Sequence, residues 1–533
     1  MAHIISGAAG SGKTTALYSL LKTDKGNKIL LVPDQFVFES ERRVADELGE
    51  KTSDITVTGF MSLSEQILKK YCPRKTYADN TAKLAIMSRA IKSLSQSFSF
   101  YGSAARKPGF VSVCLSGVDT LKNAGISPQR MYDLISADDT ASSAPAHFTD
   151  KMHDIALFYS LYDKMLTELY DDRQDNLLLA ARTIEENDCF PENTRVYIDG
   201  FDSFSGAQKE FLRAMAYKGV DFTVAVCTDD SGAEIFSECD KTKALFENKY
   251  AMDCGKPQKT EYTKLGNSAV RYKNDTLRVL RDFLQGEKAE KPADSHGITL
   301  AYSHNMSGEA DFVCANIRKL VRYEGYRYSD IAVICAAPAK YRDAVRSAAL
   351  RYEVPMFVDL PEPVSEKPLL RYLDCLLCAA EDPRGINIIR YIRSGFARIP
   401  SDKKEGKTVP LTLRDQHITE EYANRWDLKN RRWDRPFPHI TDDVERTVEN
   451  IRDKTVTPLI QFEKSVRNAG GKELVKRFAE FLFDKADISA AIQGKCQDNS
   501  TRQLRYVKEL TEEYNNLWRS VSDMLTSLYE TLD

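Results

Sequence analysis

The sequence predicts an α/β protein in which parallel sheets, the first opening on a phosphate-binding loop, are interrupted by long helical stretches. Three observations carry that prediction. Short apolar runs stopped by glycine or proline alternate with segments of helical period, as buried parallel strands and their crossover helices do. The first run meets Gly7-Ala8-Ala9-Gly10-Ser11-Gly12-Lys13-Thr14, an ungapped G-x-x-x-x-G-K-[ST]. Between Ala78 and Asn187 the strand signal vanishes and apolar residues recur only at helical spacing.

Taken in order, His3-Ile4-Ile5 predicts the first strand, and Ala16, Leu17, Leu20 and Leu21 put a helix over Thr14 to Lys22. Lys28 to Val32 (KILLV) is a continuous apolar run stopped by Pro33, so a buried strand is expected there, with a helix over Phe36 to Leu48. Ile55 to Val57 opens a third unit. In the helical stretch, Ile155, Phe158, Tyr159, Tyr162, Leu166 and Leu169 follow the amphipathic rule. Strands return at Arg195 to Asp199 (RVYID) and Phe222 to Cys227 (FTVAVC), with a helix over Ala207 to Tyr217, so the first domain is discontinuous in sequence. A polar, charged segment from Cys254 to His296 marks a junction. Beyond it Ile298 to Tyr302, Ile331 to Cys335 and Met356 to Val358 predict strands of a second alternating unit, with helices near Asp311 to Tyr323 and Tyr341 to Tyr352. From Pro368 to Asp533 the pattern is helical and irregular.

With 533 residues and 42% hydrophobic content, the chain can build several cores, which excludes a disordered tail protein. Lys and Arg number 75 against 78 Asp and Glu, a net charge of -3, so any nucleic-acid contact must be local. No apolar run long enough to cross a bilayer occurs and the N-terminus lacks a signal-peptide pattern, so a cytoplasmic protein with no membrane partner is expected. The 11 cysteines are scattered, mostly in apolar runs, and are expected to be reduced.

The glycine-rich loop carries the chemistry. Gly7, Gly10 and Gly12 let backbone N–H groups approach phosphate oxygens, Ser11 within the turn and Thr15 at the start of the helix join the nucleotide-binding set, Lys13 reaches the outer phosphates, and Thr14 can hold Mg²⁺. The alternative is a glycine-rich turn with a chance lysine. A second acidic site is expected at Asp199, where an apolar strand ends in a carboxylate that could hold Mg²⁺ through water; otherwise Asp199 caps a helix or loop. Gly200 follows it where a hydrolysing helicase would carry Glu. Losing a positioned general base costs about 10² to 10⁴ in rate, so binding without turnover is expected and no catalytic residue is assigned. Asp202 is the nearest substitute. Cys375 and Cys378 form a C-x-x-C inside an apolar helical pattern, which reads as a core helix, and the seven histidines show no metal-ligand spacing. Ser11 and Ser205 have no recognisable His and Asp partners for nucleophilic hydrolysis.

The segments MAHIISGAAGSGKT, LLVPDQFVFESER, ARKPGFVSVCLSGVDTLKNAGISP, MHDIALFYSLYDKMLTELYDD and VYIDGFDSFSGAQKEFLRAM, in that order, resemble AddB, the B-subunit family of the AddAB helicase-nucleases of Gram-positive bacteria. The resemblance continues through GEADFVCANIRKLVRYEGYRYSDIAVI, YEVPMFVD and YANRWDLKNRRWDRPF to near residue 440. It implies a superfamily 1 helicase-like body of RecA-like sheets with large helical insertions: 1–77 as the first part of domain 1A, 78–190 as insertion 1B, 191–295 as the rest of 1A, 296–368 as the first part of domain 2A, and 369–533 as a mainly helical 2B-like region. It also implies an A-subunit partner that supplies the motor and a nuclease, DNA ends and single-stranded DNA as ligands, and scanning for the Chi signal. The family's C-terminal nuclease, with its cysteine-bound iron-sulfur cluster, is expected only beyond this chain, since no carboxylate and lysine nuclease motif appears before Asp533.

In such bodies the loops after the sheet strands face single-stranded DNA, which suggests Gln35, Phe60, Phe201 and Phe204 as contacts; the alternative is that Phe60 and Phe204 close the core. Ser62 and Glu65 stand where many family members have Arg and Trp, a departure that bears on which Chi sequence is read. Arg425, Trp426, Lys429, Arg431, Arg432, Trp433 and Arg435 form a basic, aromatic cluster suited to structure or an interface, or to phosphate. The expected function is ATP binding, a share in DNA or Chi recognition, and scaffolding rather than translocation. An active P-loop ATPase or helicase is the rival, and a small-metabolite kinase is disfavoured by the second alternating unit.

Overall fold

The computed structural model describes residues 2–49, 54–107, 109–138, 146–249, 260–266, 270–272, 274–286, 297–358, 364–401, 407–498 and 504–532. They fall into two compact units, Met1–Ile298 and Thr299–Asp533.

In the first unit the apolar run Ala2–Gly7 (β1) leads through the glycine-rich turn into Lys13–Thr23 (α1), and Lys28–Leu31 (β2), Val37–Leu48 (α2), Ile55–Thr58 (β3) and Phe60–Tyr71 (α3) continue the alternation. After the helices Asn80–Leu94 (α4), Phe110–Asn123 (α5), Pro128–Asp138 (α6), Ala146–Leu169 (α7) and Asn176–Glu186 (α8), the chain returns with Arg195–Ile198 (β4), Gly206–Tyr217 (α9), Asp221–Cys227 (β5), Ser237–Ala244 (α10), Thr260–Lys264 (β6) and Asp275–Leu284 (α11). The six strands form one parallel sheet in the order β3-β2-β4-β5-β1-β6.

The strand period of two sorts neighbouring residues to opposite faces. Ile5, Leu30, Tyr197 and Ala225 pack under α1 and α2 with Leu17, Leu21 and Val44, while Ile4, Leu31, Val196, Ile198 and Val224 pack under α3, α8 and α9 with Leu63, Ala180 and Phe211. Both faces are covered, as a parallel sheet requires. Helices α4 to α7 enclose a separate core around Met87, Val118, Tyr159 and Tyr162, whereas α8 belongs to the core of the sheet.

A charged knot ties these helices to the returning chain. Lys122 of α5 is buried and meets Asp175 at 2.6 Å, Asp163 at 2.9 Å and Asp172 at 3.0 Å, and Lys83 of α4 also pairs with Asp172. Burial alone would lower the Lys122 ammonium, but the three carboxylates outweigh it and hold it above its ordinary value.

Two expectations about strands are corrected. β6 lies within the stretch read as a polar junction, of which residues 254–259, 267–269, 273 and 287–296 are outside the described residues. It is an edge strand bonded on one side only, so the sequence TEYTK is polar and lacks the apolar run by which buried strands are recognised. The second unit holds Met306–Tyr323 (α12) and Pro338–Arg351 (α13), but the described residues at 298–302, 331–335 and 356–358 form no strand. The two helices bury only a small core around Cys314, Ile317 and Ala348, and Ile334 stays 96% exposed. With one face uncovered, these runs lack the two-sided burial that stabilises parallel strands.

The larger core of the second unit is helical: Pro368–Glu381 (α14), Gly385–Arg393 (α15), Leu413–Arg425 (α16), Asp443–Val466 (α17), Gly471–Glu480 (α18), Ile488–Asp498 (α19) and Leu504–Thr531 (α20), with a small antiparallel pair, Arg398–Pro400 (β7) and Thr408–Pro410 (β8), between α15 and α16. Trp433 is sealed in this core, its Nε1–H donating to the Leu428 carbonyl at 3.1 Å.

Candidate functional site

Because every neighbouring strand pair in the sheet is parallel, the loops after β1, β2, β3 and β4 emerge at one edge, the end where open α/β sheets bind ligands. They touch one another. Val32 N–H donates to the Thr58 carbonyl and Asp199 N–H to the Leu31 carbonyl, at 3.1 and 3.2 Å. Gly59 lies directly against Asp34 of the loop after β2, so that a Cβ there would displace the Asp34 carboxylate.

The glycine-rich loop turns through left-handed backbone at Gly10 and Gly12, φ 75° and 95°, which favours glycine. The first intrahelical bond of α1 runs from Ala16 N–H to the Gly12 carbonyl, so the N–H groups of Lys13, Thr14 and Thr15 have no acceptor in the helix, while Ser11 N–H donates back to the Ala8 carbonyl at 3.2 Å. Lys13 Nζ folds back onto the carbonyls of Gly7 (2.9 Å) and Ala8 (2.8 Å), Ser11 is buried, and Thr15 faces out from the first helical turn. The Thr14 hydroxyl lies close enough to the Asp199 carboxyl at the end of β4 to favour its charged form, so the structure brings the two proposed Mg²⁺ contacts near one another across the β5 strand that separates β1 from β4. Burial raises the Asp199 carboxyl above the usual carboxylate range, against the Thr14 hydroxyl, the Gly200 N–H and the nearby Arg43 and Lys13.

This donor set fits a nucleotide phosphate with a divalent cation. Helix-start amides with no acceptor in the helix, one lysine that can reach outward, and a hydroxyl beside a carboxylate are what that chemistry requires.

Gly200 is left-handed, φ 82°, and a Cβ on it would meet Pro33 Cδ at 3.3 Å. Asp202, the possible substitute for the missing carboxylate, is engaged elsewhere: its Oδ1 accepts from Cys239 Sγ at 3.6 Å and its carbonyl accepts from the Thr242 hydroxyl at 2.8 Å.

Of the proposed DNA contacts, Gln35 is exposed in the turn Asp34–Phe36 and Phe201 is half-buried. Phe60 and Phe204 are in the core, at 3% and 5% exposure, which corrects the picture of exposed stacking rings. Phe60 stands edge-on to Phe201, Phe204 and Phe211, with centroids 5.4, 5.9 and 6.0 Å away, and neither Phe60 nor Phe204 has a free face for a base. The exposed rings at this edge are Phe36 and Phe38, 44% and 80% exposed, beside Gln35. Their signal was the repeated Phe in PDQFVF, an apolar pair flanked by polar residues.

Sequence reasoning also passed over Arg43, which covers the Tyr18 ring at 4.4 Å and lies in the field of Asp199, and Arg271 and Tyr272, which lie against Gly10. Arg271 N–H donates to the Gly10 carbonyl at 3.2 Å, and a Cβ at Gly10 would come within 2.8 Å of the Tyr272 ring. No local pattern ties these residues to the loop. In the second unit Cys375 packs against the core from α14 while Cys378 of the same helix is exposed, and among the described residues no three His, Cys, Asp or Glu side chains converge as metal ligands. Among the same residues no helix is long and apolar enough to cross a membrane.

Proteins named as the B subunit of an "ATP-dependent helicase/deoxyribonuclease" from Clostridium botulinum (strain Loch Maree / Type A3), Bacillus mycoides (strain KBAB4) and Bacillus anthracis are each 24% identical to this chain across 99% of it. The match covers 47% of each relative, so the chain spans about half the length of the curated relatives it matches. The sequence model of the family described as "ADDB, N-terminal" matches residues 4–279, the stretch from β1 through the first half of α11 and just over half of the 533 residues, and the chain belongs to that AddB family.

Proposed function

We infer that this chain is the N-terminal, helicase-like part of the B subunit of a DNA double-strand-break repair helicase-nuclease, that it binds ATP with Mg²⁺ at the edge of its sheet, and that it turns nucleotide over slowly or not at all. The observation that carries the reading is the closeness of the Thr14 hydroxyl to the Asp199 carboxyl beside a lysine-bearing turn, followed at once by a left-handed Gly200. Gly7, Gly10, Ser11, Gly12 and Thr15 would cradle the phosphates, Lys13 would leave the Gly7 and Ala8 carbonyls to reach the outer ones, and Thr14 and Asp199 would hold the cation. Bound Mg²⁺ supplies neutralisation of the phosphate charge. Orienting a water needs a carboxylate where Gly200 has no side chain and where Asp202 is already engaged by Cys239.

The same reading assigns the sheet and its helical insertion to superfamily 1 domains 1A and 1B, and α12 and α13 to the start of a second RecA-like domain. It takes an A subunit as partner in the cytoplasm, with Gln35 and Phe201 on a single-strand track that contributes to Chi recognition. The relatives' names, which make each of them the B subunit of a helicase/deoxyribonuclease, support it.

Calorimetry of Mg-ATP binding to the chain and to Lys13→Ala tests the site, since the loop would lose its only side-chain phosphate cation. Affinity unchanged by the substitution sinks the assignment. Turnover above about 1 s⁻¹, with or without single-stranded DNA, overturns the expectation of weak hydrolysis.

A further inference from the structure

In the second unit two helices present matching stripes to a cleft. On α15 the buried side holds Ile388, Tyr391 and Ile392, and the opposite side carries Ile386, Arg390 and Arg393 at i, i+4 and i+7. On α14, Pro368, Arg371 and Cys375 recur at i, i+3 and i+7. All six line one open cavity of about 620 Å³. Lys429 joins them because its carbonyl accepts from Ile386 N–H at 2.7 Å, which fixes it at the start of α15.

Charge in this cleft is unbalanced. Arg393 pairs with Glu420 at 2.8 Å, and Glu366 also lines the cavity, but the side chains of Arg371, Arg390 and Lys429 make no hydrogen bond or ion pair with any described residue. Arg371 of α14 and Arg390 of α15 both line this cavity together with Cys375. Beyond Arg393 a second cavity of about 480 Å³ continues the path, with Arg393, Arg398 and Lys495 in its wall and no carboxylate lining it. Arg398 is held by the Thr408 carbonyl at 2.7 Å and lies 4.0 Å from Asp487, and Lys495 sits over the Phe396 ring at 5.7 Å. Six cations thus face two carboxylates along adjoining cavities that share Arg393, in a chain whose net charge is -3.

A single anion would be served by one pocket with satisfied partners. An elongated, open groove with several unsatisfied cations and apolar walls from Pro368, Ile386 and Leu413 suits a flexible chain of regularly spaced negative charges with apolar faces between them. We propose that the groove between α14 and α15, continued past Arg393 to Lys495, binds the phosphodiester backbone of single-stranded DNA. The choice of DNA over another polyanion rests on reading this chain as part of a DNA-processing protein; the groove itself is distinct from the sheet edge where nucleotide is placed.

The test is fluorescence anisotropy of a labelled twenty-nucleotide oligo-dT against the 533-residue chain over a salt series. The groove variant is Arg371→Gln with Arg390→Gln and Lys429→Gln. A charge-matched control is Arg42→Gln with Lys241→Gln and Arg446→Gln, all on exposed side chains in the described structure. The groove variant should lose about tenfold in affinity near 100 mM salt and its log-log salt slope should fall by about 2, from roughly 0.7 per phosphate contact, while the control changes less than about twofold. Equal effects of the two variants, or no binding of the oligonucleotide by the unaltered chain, overturn the proposal. Competition by poly-glutamate as strong as by unlabelled oligo-dT also overturns it, because the groove would then take an acidic peptide. Loss of ATP binding in Lys13→Ala with groove affinity intact separates the two sites. If Gln35→Ala abolishes DNA binding and the groove variant does not, the function proposed above stands and the groove falls.

Discussion

Replacing Phe60 by alanine separates a stacking role from a packing role, and the structure sets the size of the effect. The ring is 3% exposed at the start of α3, touches Phe201, Phe204 and Phe211 edge-on, and belongs to the core that α3, α8 and α9 form under the sheet. A buried Phe→Ala change costs about 3–5 kcal/mol, and three edge-on partners left facing a cavity place this one toward the upper end. For a unit of this size each kcal/mol lowers Tm by about 2–4 °C, so the melting transition of the first unit should fall by roughly 6–20 °C. Differential scanning calorimetry reads the transition, and oligo-dT anisotropy below it reads DNA affinity on the same sample. A Tm within about 2 °C of the unaltered chain, combined with a large loss of DNA affinity, would show that the ring is exposed in solution and refute the packing argument.

Gln35→Ala together with Phe38→Ala should weaken oligo-dT binding while leaving Tm nearly unchanged, because both side chains are exposed; a large fall in Tm would contradict that placement. Gly200→Glu should not restore ATP turnover, measured by phosphate release, because the position is left-handed and faces Pro33; recovery of turnover above about 1 s⁻¹ would show that only the carboxylate was missing. Lys122→Met should cost about 3–5 kcal/mol, as it leaves the buried Asp172 carboxylate with Lys83 alone and the half-buried Asp163 and Asp175 without this cation; a chemical-denaturation midpoint equal to that of the unaltered chain would count against the knot. The Lys122 ammonium and the Tyr162 phenol are both held above their ordinary values, the phenol chiefly by burial, so the stability they carry is complete below about pH 10 and declines as the pH rises past it. Melting curves from pH 7 to 11 should show that decline, and a flat profile would remove both groups from the stability of the insertion.

The parts of the fold legible in the sequence were those decided locally. KILLV, RVYID and FTVAVC read as strands because a buried parallel strand must be apolar on both faces, and the glycine and lysine spacing after HII states its own turn without reference to the rest of the chain. The long helical stretch was visible for the same reason, since its period belongs to each helix alone. The order of eight such segments from residue 1 to near 440 also carried the family resemblance.

What the tertiary structure alone decided were properties that depend on distant neighbours. TEYTK became a strand because β1 offered it one bonded edge, and the apolar runs at Ile331 and Met356 remained unpaired because only one face is covered. Phe60 follows a sheet strand just as Gln35 does, yet three phenylalanines from elsewhere close over it while Gln35 stays in water. Tyr272 reached Gly10, and Arg371, Arg390 and Lys429 reached one cleft, through folding of segments whose charges look ordinary when read in line. Periodicity and turn chemistry are written within a few residues, whereas burial and the meeting of charges are set by which surfaces the whole chain brings together.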